Sequence, residues 1–294
     1  MMHNIAYTIL YLWVKAHALL PMRVLYVWAD ILYFLAYRVI RYRRQVVRDN
    51  MRYAFPEKSE HERQQMERKF YRHFTDYIVE TVKLAGISHA ELLRRAHLRN
   101  PEIVNPLFAD GHTCVLMLLG HYGNWEWLTG FTGLFDVKLQ IYHVYKPLGN
   151  KAFDRLFIYM RTRFGSFGMK KRDVVRDVLH LRQTKTPSLV VFVADQTPTG
   201  TNIHYRTTFL NQDTAVFTGA ERLAVKLDLP VIFADVRKVK RGYYTVDFEL
   251  VTDRPREMSE FAITEKYTRL MERSILREPA FWFWTHRRWK YTRT

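Results

Sequence analysis

The chain has 294 residues, enough for one large domain or two small ones with a sizeable buried core. Hydrophobic residues make up 48% and Cys114 is the single cysteine, which excludes a disordered basic tail, a disulfide scaffold and a cysteine-cluster metal site. Lys and Arg number 46 against 29 Asp and Glu, a net charge of +17, so the expected partner is polyanionic: nucleic acid, an anionic membrane surface, or an acidic protein or phosphorylated substrate.

Residues 5–40 form an apolar segment in which the charged residues are Lys15, Arg23, Asp30 and Arg38. Pro21 divides this segment into two helical halves. The second half, 24–40, would be about 25 Å long as a helix, which is marginal for a hydrocarbon core of ~30 Å. We predict a hydrophobic membrane helix within an anchoring segment, 1–45, that either spans the bilayer or lies in its interface. The alternative is a buried hairpin of the protein core.

A basic cluster follows directly, and it consists of Arg41, Arg43, Arg44, Arg48 and Arg52. Such a cluster beside an apolar helix is typical of the cytoplasmic face of a membrane that carries anionic lipid. Ser59 and Glu62 then have the spacing of a capping box, which predicts a long helix to about Leu84. Residues 46–95 are therefore expected to form a helical subregion that packs on the core.

Strands and helices alternate in the remainder of the chain, 96–294. Apolar runs predict strands at 113–119, 139–144, 189–194, 231–236 and 244–251. Helical patterns lie near 125–134, 151–164, 173–182, 215–227 and 259–277, with Thr214 as an N-cap. This alternation predicts an α/β domain with a central mixed sheet flanked by helices.

The loop after the first of these strands has the composition of an active site. Gly120 and Gly123 permit a tight turn, and Asn124 is a favourable N-cap for the next helix. His121 is a candidate general base because its unperturbed pKa lies near neutrality, and Glu126 is placed to accept the other ring N–H. The plainer alternatives are a loop histidine and a glutamate favoured by the helix dipole. The spacing does not fit a helical zinc pair, and no metal ligand set is expected.

Five sequence segments resemble the lipid A late-acyltransferase family, the lauroyl and myristoyl branch of the HX4D/E glycerolipid acyltransferases. His121 and Glu126 match the HX4D/E motif, and residues 46–63 contain Asn50 with Phe55-Pro56-Glu57. The others are the basic run Lys170-Lys171-Arg172-Asp173, the strand end Ala194-Asp195-Gln196 and the C-terminal 284–290, with its His-Arg-Arg-Trp-Lys. The matches extend over nearly the whole chain.

This resemblance implies a glycerolipid-acyltransferase-like fold and an acyl transfer reaction. The donor would be an acyl carrier protein thioester, or acyl-CoA, and the acceptor a hydroxyl of a phosphorylated glycolipid, a lipid A precursor. His121 would be the general base and Glu126 its partner, with Arg161 and Asp195 as further catalytic residues. No cofactor is implied, because the thioester is itself activated. The implied location is the cytoplasmic face of a bacterial inner membrane.

Substrate contacts are expected from the site loop and from the basic segments. The candidates are Gly123, Asn124, Lys170, Lys171, Arg172, Gln196, Arg287 and Arg288. Arg161 or the backbone N–H groups of 120–123 would stabilise the tetrahedral oxyanion. Cys114 is expected in the core rather than as a nucleophile.

Two alternatives stay open. The same chemistry could act on a lysophospholipid, an aminolipid or a glycosylated phosphatidylinositol. A basic nucleic-acid-binding protein is the remote alternative, since the aromatic residues are not interleaved with the basic clusters and no binding motif is present. We therefore expect no nucleic-acid partner.

Overall fold

A mixed seven-stranded sheet organises the chain. The computed structural model describes the backbone of residues 2–291 and the side chains from residue 5 onward. The strands found there are β1 (Ala96–Leu98), β2 (Cys114–Leu119), β3 (Gln140–Tyr145), β4 (Phe167–Lys170), β5 (Ser188–Val193), β6 (Tyr205–Phe209), β7 (Gln212–Val216), β8 (Val231–Lys240) and β9 (Tyr243–Thr252). The large sheet has the order β1-β9-β8-β2-β5-β3-β4, while β6 and β7 form a separate antiparallel pair.

Five strands of the large sheet run parallel to one another: β8, β2, β5, β3 and β4. The other two, β9 and β1, run in the opposite direction. All six residues of β2 are buried, as its continuous apolar run predicts. Leu119 is paired with Val193 at the carboxyl ends of β2 and β5. The loops that follow these two strands therefore start side by side, at the edge where α/β proteins place ligands.

The helices lie around this sheet. They are α1 (Met2–Leu19), α2 (Met22–Tyr33), α3 (Arg44–Ala54), α4 (Glu60–Leu84), α5 (His89–Arg95), α6 (Asn105–Ala109), α7 (Lys151–Thr162), α8 (Val174–Gln183), α9 (Gly219–Leu227) and α10 (Ala262–Arg277). The predicted capping box is confirmed: Ser59 accepts a hydrogen bond from the Glu62 N–H, and the Glu62 carboxylate accepts one from the Ser59 N–H.

All five predicted strands are confirmed, whereas β1, β4 and the β6–β7 pair were not predicted. The helix expected over 215–227 begins only at Gly219, because residues 212–216 pair with β6. Thr214 therefore lies in β7 and does not cap the helix. The helix expected over 125–134 is also wrong, since only a 3₁₀ segment forms there, Trp125–Gly130.

Pro21 separates α1 from α2 as expected, and α2 continues into a π-helical turn, Phe34–Val39. Within the described residues, no single helix is long and apolar enough to cross a bilayer. The pair Ile5–Leu19 and Met22–Val39, bent by 117°, meets the length and hydropathy requirement only in combination. We call this pair the N-terminal hairpin.

The N-terminal hairpin has two apolar faces. One packs inward, where α1 lies on α7 and α2 lies on α4, and it buries Val14, Ala18, Met22, Leu25 and Ala29. The other leaves large apolar side chains exposed, among them Ile9, Leu12, Trp13, Val27, Trp28 and Phe34. Large apolar side chains grouped on an exposed face are typical of an interaction surface.

Candidate active site

His121 and Asp195 form a tight pair at the carboxyl ends of β2 and β5. The His121 Nδ1 lies 2.6 Å from the Asp195 Oδ1, and the His121 backbone N–H donates to the Asp195 Oδ2 at 3.0 Å. The Trp282 indole also donates to this Oδ2, at 2.7 Å. Because an ionised carboxylate only accepts hydrogen bonds, Nδ1 carries the proton and the Nε2 lone pair is directed away from Asp195.

The electrostatics of Asp195 support this arrangement. Burial by itself would raise the pKa of this carboxyl, but His121 and the hydrogen bonds from His121 and Trp282 outweigh burial and lower the pKa to about 2. Asp195 is thus a fixed anion at neutral pH. The His121 side chain keeps 20% of its surface exposed, so the imidazole is accessible from outside.

The predicted contact between His121 and Glu126 is wrong. Glu126 instead forms a two-point ion pair with Arg161, with 2.8 Å from Nε to Oε2 and 2.6 Å from Nη2 to Oε1. Burial favours the neutral carboxyl, yet Arg161 outweighs it and lowers the pKa of Glu126. The sequence spacing misled because the partner of His121 comes from a neighbouring strand, 74 residues further on.

His143 on β3 lies next to this ion pair and was not predicted. Burial, followed by the charge of Arg161, lowers the pKa of His143 to about 4, and its Nε2 has no hydrogen-bond partner among the described residues. A histidine inside the otherwise apolar strand Gln140–Tyr145 was the signal that could have identified it. The neutral imidazole adds a polar group beside Arg161 and Glu126.

Gln196 faces the free nitrogen of His121. The Gln196 Nε2 is 3.3 Å from the His121 Nε2, and since the imidazole carries its proton on Nδ1, the amide is the donor. Trp125 and Phe283 flank the imidazole, with ring centroids at 4.9 and 6.4 Å. The position where a hydroxyl would meet His121 is therefore next to an amide N–H and bordered by aromatic rings.

The backbone amides expected to bind the oxyanion are already engaged. The N–H groups of His121, Tyr122 and Gly123 donate to Asp195, to the Gly120 carbonyl and to the Phe281 carbonyl, respectively. Gly123 adopts φ +61°, a left-handed conformation that favours glycine. These contacts fix the loop, so the prediction that the N–H groups of His121, Tyr122 and Gly123 bind the oxyanion is wrong.

Asn124 also points away from the crevice. It is 1% exposed, it forms no side-chain cap on the following 3₁₀ segment, and its Nδ2 donates to the Glu80 Oε2 at 2.7 Å. The N-cap and substrate-binding predictions for Asn124 are therefore wrong. The reason is that the buried carboxylate of Glu80 offers the amide a stronger acceptor partner.

The two arginines predicted near the C-terminal motif differ. Arg287 is exposed, whereas Arg288 is 4% exposed, donates to the Ala215 carbonyl at 2.8 Å and lies over the Phe209 ring. Burial lowers the pKa of Arg288 to about 10. The prediction that Arg288 contacts substrate is wrong for this structure, because β6 and β7 cover it.

The other segments of the C-terminal motif support the site from behind. Asn50 donates its amide to the backbone carbonyls of Trp284 and His286, at 2.8 and 2.7 Å. The His286 Nε2 accepts from the Thr197 N–H, and burial lowers the pKa of His286 to about 4. The motif thus connects the first helices to the loop that carries Asp195.

Lys170, Lys171 and Arg172 are exposed at the ends of β3 and β4, on the same edge of the sheet as His121. The Lys171 Nζ lies 4.2 Å from the centroid of the Phe217 ring. Partial burial and the neighbouring Lys146 lower the pKa of Lys171. A cation under repulsion from a second lysine favours an anionic ligand.

Neither a thiol nor a metal cluster accompanies these groups in the described part of the chain. Cys114 lies at the start of β2, where burial raises the pKa of its thiol to about 11 and makes the thiolate unavailable at neutral pH. Among residues 2–291, no three His, Cys, Asp or Glu side chains are grouped so that they could hold a metal ion.

Comparison with known proteins identifies the family. Residues 2–291 match the family described as bacterial lipid A biosynthesis acyltransferase. No curated protein matched the sequence. Because the match covers nearly the whole chain, this protein belongs to that family and is an acyltransferase.

Proposed function

We propose that this enzyme transfers an acyl chain from the thioester of acyl carrier protein, or of CoA, to a hydroxyl of a phosphorylated lipid A precursor. The observation that carries the proposal is the His121–Asp195 pair, which leaves the His121 Nε2 unprotonated on a partly exposed imidazole. A hydroxyl is a poor nucleophile at neutral pH, and a positioned base of this kind is what its activation requires.

In the proposed reaction, the acceptor hydroxyl binds at the His121 Nε2 and loses its proton to that nitrogen as its oxygen attacks the thioester carbonyl carbon. Asp195 stabilises the imidazolium that results, as the carboxylate does in hydrolytic triads. When the tetrahedral intermediate collapses, the C–S bond breaks and the imidazolium returns the proton to the leaving sulfur. Base and carboxylate end in their starting states, and no acyl-enzyme is needed.

Gln196 is the proposed donor to the oxyanion. Its amide already lies 3.3 Å from the His121 Nε2, so an incoming hydroxyl displaces it by a short distance and keeps it next to the carbonyl under attack. The Arg161–Glu126 ion pair is proposed to fix the wall of the site. Arg161 lies on α7 and Glu126 lies in the 3₁₀ segment Trp125–Gly130, so regular elements hold both members of this pair.

The basic residues are assigned to the anionic parts of the substrates. Lys170, Lys171 and Arg172 lie at the ends of β3 and β4, and we assign them to the acceptor phosphate or to the acidic carrier protein. Arg287 is assigned to lipid phosphate. These residues line the same sheet edge as His121, which is the placement that two large anionic substrates would require.

The N-terminal hairpin is the proposed membrane contact, at the cytoplasmic face of a bacterial inner membrane. Its exposed apolar face would lie in the interface, and Arg41, Arg43 and Arg52, the exposed members of the basic cluster that do not pair with Glu67, would meet anionic headgroups. Arg43 donates to the Thr285 carbonyl at 3.0 Å, which ties this cluster to the C-terminal motif beside the site. A lipid acceptor would then reach His121 without leaving the membrane surface.

The proposal is tested by transfer of a radiolabelled acyl group from acyl carrier protein to a lipid A precursor in detergent micelles. We expect His121→Ala to lower kcat by about 10²- to 10⁴-fold, while His180→Ala, at an exposed histidine of α8, keeps wild-type activity. Equal activity of wild type and His121→Ala would exclude His121 as the base. If the wild type leaves the precursor unmodified, mass spectrometry of lipids from a deletion strain identifies the acceptor among phospholipid, aminolipid and phosphatidylinositol glycolipids.

A further inference from the structure

Side chains on one face of α4 contact the active-site loop at several points. His73, Tyr77 and Glu80 have the i, i+4, i+7 spacing that places side chains on one side of a helix. His73 hydrogen-bonds the backbone of Gly123, and Tyr77 stacks on Trp125 with ring centroids 4.4 Å apart. Glu80 contacts the loop at its midpoint. Residues 123–127 therefore lie against α4, while His121 at the start of the loop faces the crevice.

Glu80 is a carboxylate without exposure to solvent and without an ion-pair partner among the described residues. Its Oε2 accepts from the Asn124 Nδ2 at 2.7 Å and from the Tyr244 hydroxyl at 2.8 Å. Its backbone carbonyl accepts from the Trp127 indole at 3.1 Å. Burial raises the pKa of Glu80. A buried carboxylate is costly unless its hydrogen bonds are complete, and the Asn124 and Tyr244 donors supply bonds of this kind to Glu80.

The opposite side of Glu80 is held from the N-terminal hairpin. The Tyr26 hydroxyl of α2 donates to the Glu80 Oε1 at 2.9 Å. Gly242 leaves room for this tyrosine, because a Cβ at that position would lie 2.0 Å from the Tyr26 oxygen. Glu80 is consequently restrained by three neutral donors, from α2, from β9 and from the active-site loop.

Asn124 has no comparable second restraint on its side chain. Its Oδ1 is buried without a hydrogen-bond partner in the described part of the chain, so the bond to Glu80 is what orients the amide. Asn124 lies between His121, the proposed base, and Glu126, which holds Arg161. A shift of Asn124 would therefore move both functional groups of the loop.

We infer that Glu80 is a positioning residue for acyl transfer, which fixes the loop 120–127 through Asn124 without touching substrate. The inference rests on the proposed function in one respect, that His121 acts from this loop. In geometric terms, loss of the Glu80 acceptor would leave the fold of the sheet intact and let the imidazole depart from its attacking position. A displacement of about 1 Å at a reacting group can lower kcat by about 100-fold.

The test compares Glu80→Met with Glu67→Met, which removes a second buried carboxylate of the same helix. Glu67 is 1% exposed and pairs with Arg44 and Arg48, away from the loop. Glu80→Met is expected to lower kcat about tenfold or more with a smaller change in KM, whereas Glu67→Met keeps kcat despite a comparable fall in Tm. Glu80→Gln, which retains a carbonyl oxygen for Asn124, is expected to recover much of the lost kcat. Equal kcat for Glu80→Met and Glu67→Met at equal Tm loss would overturn the inference.

A second readout does not depend on the reaction. Hydrogen–deuterium exchange of a peptide over 120–127 should be faster in Glu80→Met than in wild type and unchanged in Glu67→Met. Asn124→Ala breaks the same contact from the loop side and is expected to give the same exchange pattern, so it replaces Glu80→Met if that variant does not fold. Unchanged exchange in both variants would refute the positioning role even in an active enzyme. Faster exchange with an inactive wild type would support it and reject the proposed function instead.

Discussion

Replacing Asp195 with asparagine should disable the base while preserving the site's shape. The Oδ2 of Asp195 accepts two N–H groups, from the His121 backbone and from Trp282, and its Oδ1 accepts the imidazole N–H. An asparagine satisfies the two N–H groups with its carbonyl oxygen and so turns its NH₂ toward His121. The imidazole must then accept at Nδ1 and carry its proton on Nε2, which is the wrong tautomer for a base. The equivalent exchange in a hydrolytic triad costs about 10⁴-fold in kcat, and a loss of about 10³- to 10⁴-fold is expected here.

The same exchange should lower stability by a smaller, separable amount. The pKa of Asp195 falls from 3.8 to about 2 on folding, which at about 1.4 kcal/mol per pKa unit corresponds to about 2 kcal/mol. Since the pKa is depressed in the folded protein, this stabilisation is present above pH 3.8 and is lost as the pH falls toward 2. For a chain of 294 residues, Tm at neutral pH should fall by about 3–4 °C.

Asp235→Asn is the matched control. Asp235 is a fully buried carboxylate on β8 that accepts hydrogen bonds from Arg237, Ser274 and Arg277 and makes none with His121. Initial rates of acyl transfer, urea unfolding and Tm are measured for both variants. Asp235→Asn should lose stability and keep kcat. A kcat for Asp195→Asn within tenfold of wild type, or an equal loss in Asp235→Asn, would refute the tautomer argument.

Three further predictions concern the ion pair, a buried histidine and the N-terminal hairpin. Glu126→Gln leaves the Arg161 cation without its partner, so the free energy of unfolding, measured with urea, should fall by about 3 kcal/mol. The double variant with Arg161→Met should lose less than the sum of the two single losses. Additive losses would contradict the ion pair. Burial lowers the pKa of His286 from 6.5 to about 4. The unfolding free energy of the wild type should therefore be highest above pH 6.5 and decline as the pH falls toward 4, because the unfolded state takes up a proton first. The unfolding free energy of His286→Gln should depend less on pH over this interval, and an unchanged pH dependence would speak against burial. Leu12 is 60% exposed on α1, and Leu12→Glu should reduce flotation of the protein with anionic vesicles. Leu276 is 55% exposed on α10, and Leu276→Glu should leave flotation unchanged. Equal flotation of the two variants would contradict membrane contact through the N-terminal hairpin.

Local patterns in the sequence were sufficient for the main elements of the fold. The capping box at Ser59 and the apolar run of β2 depend on neighbouring residues alone, and both are confirmed. The β6–β7 pair was missed because its strands are short and polar, and its two-residue turn, Leu210-Asn211, lacks the glycine that usually signals such a turn. Pairing of β7 with β6 places residues 215 and 216 in a strand, although the local pattern favoured a helix there.

The candidate site was likewise predictable only in part. His121, Glu126, Arg161 and Asp195 were all selected from the sequence and do lie together, but their pairing was not predictable from spacing. The parallel register of β2 and β5 brings Asp195 to His121, and Glu126 turns instead to Arg161 of α7. Neither His143 nor Glu80 belongs to a sequence motif, and a single polar residue in an apolar segment indicates a polar contact without naming its partner. Their roles become visible only from what surrounds them.

The hydrogen bonds from Asn50 to the carbonyls of Trp284 and His286 have a consequence for how the enzyme folds. They join residues 234 and 236 positions apart, and closing a loop of that length costs about 5 kcal/mol of chain entropy. Two hydrogen bonds do not offset this cost, so the join can persist only after the sheet has already gathered the chain. Trp282, which donates to Asp195, arrives with the same segment. Completion of the candidate active site is therefore a late event in folding, and a ribosome-bound chain would carry a formed sheet before Trp282 reached Asp195.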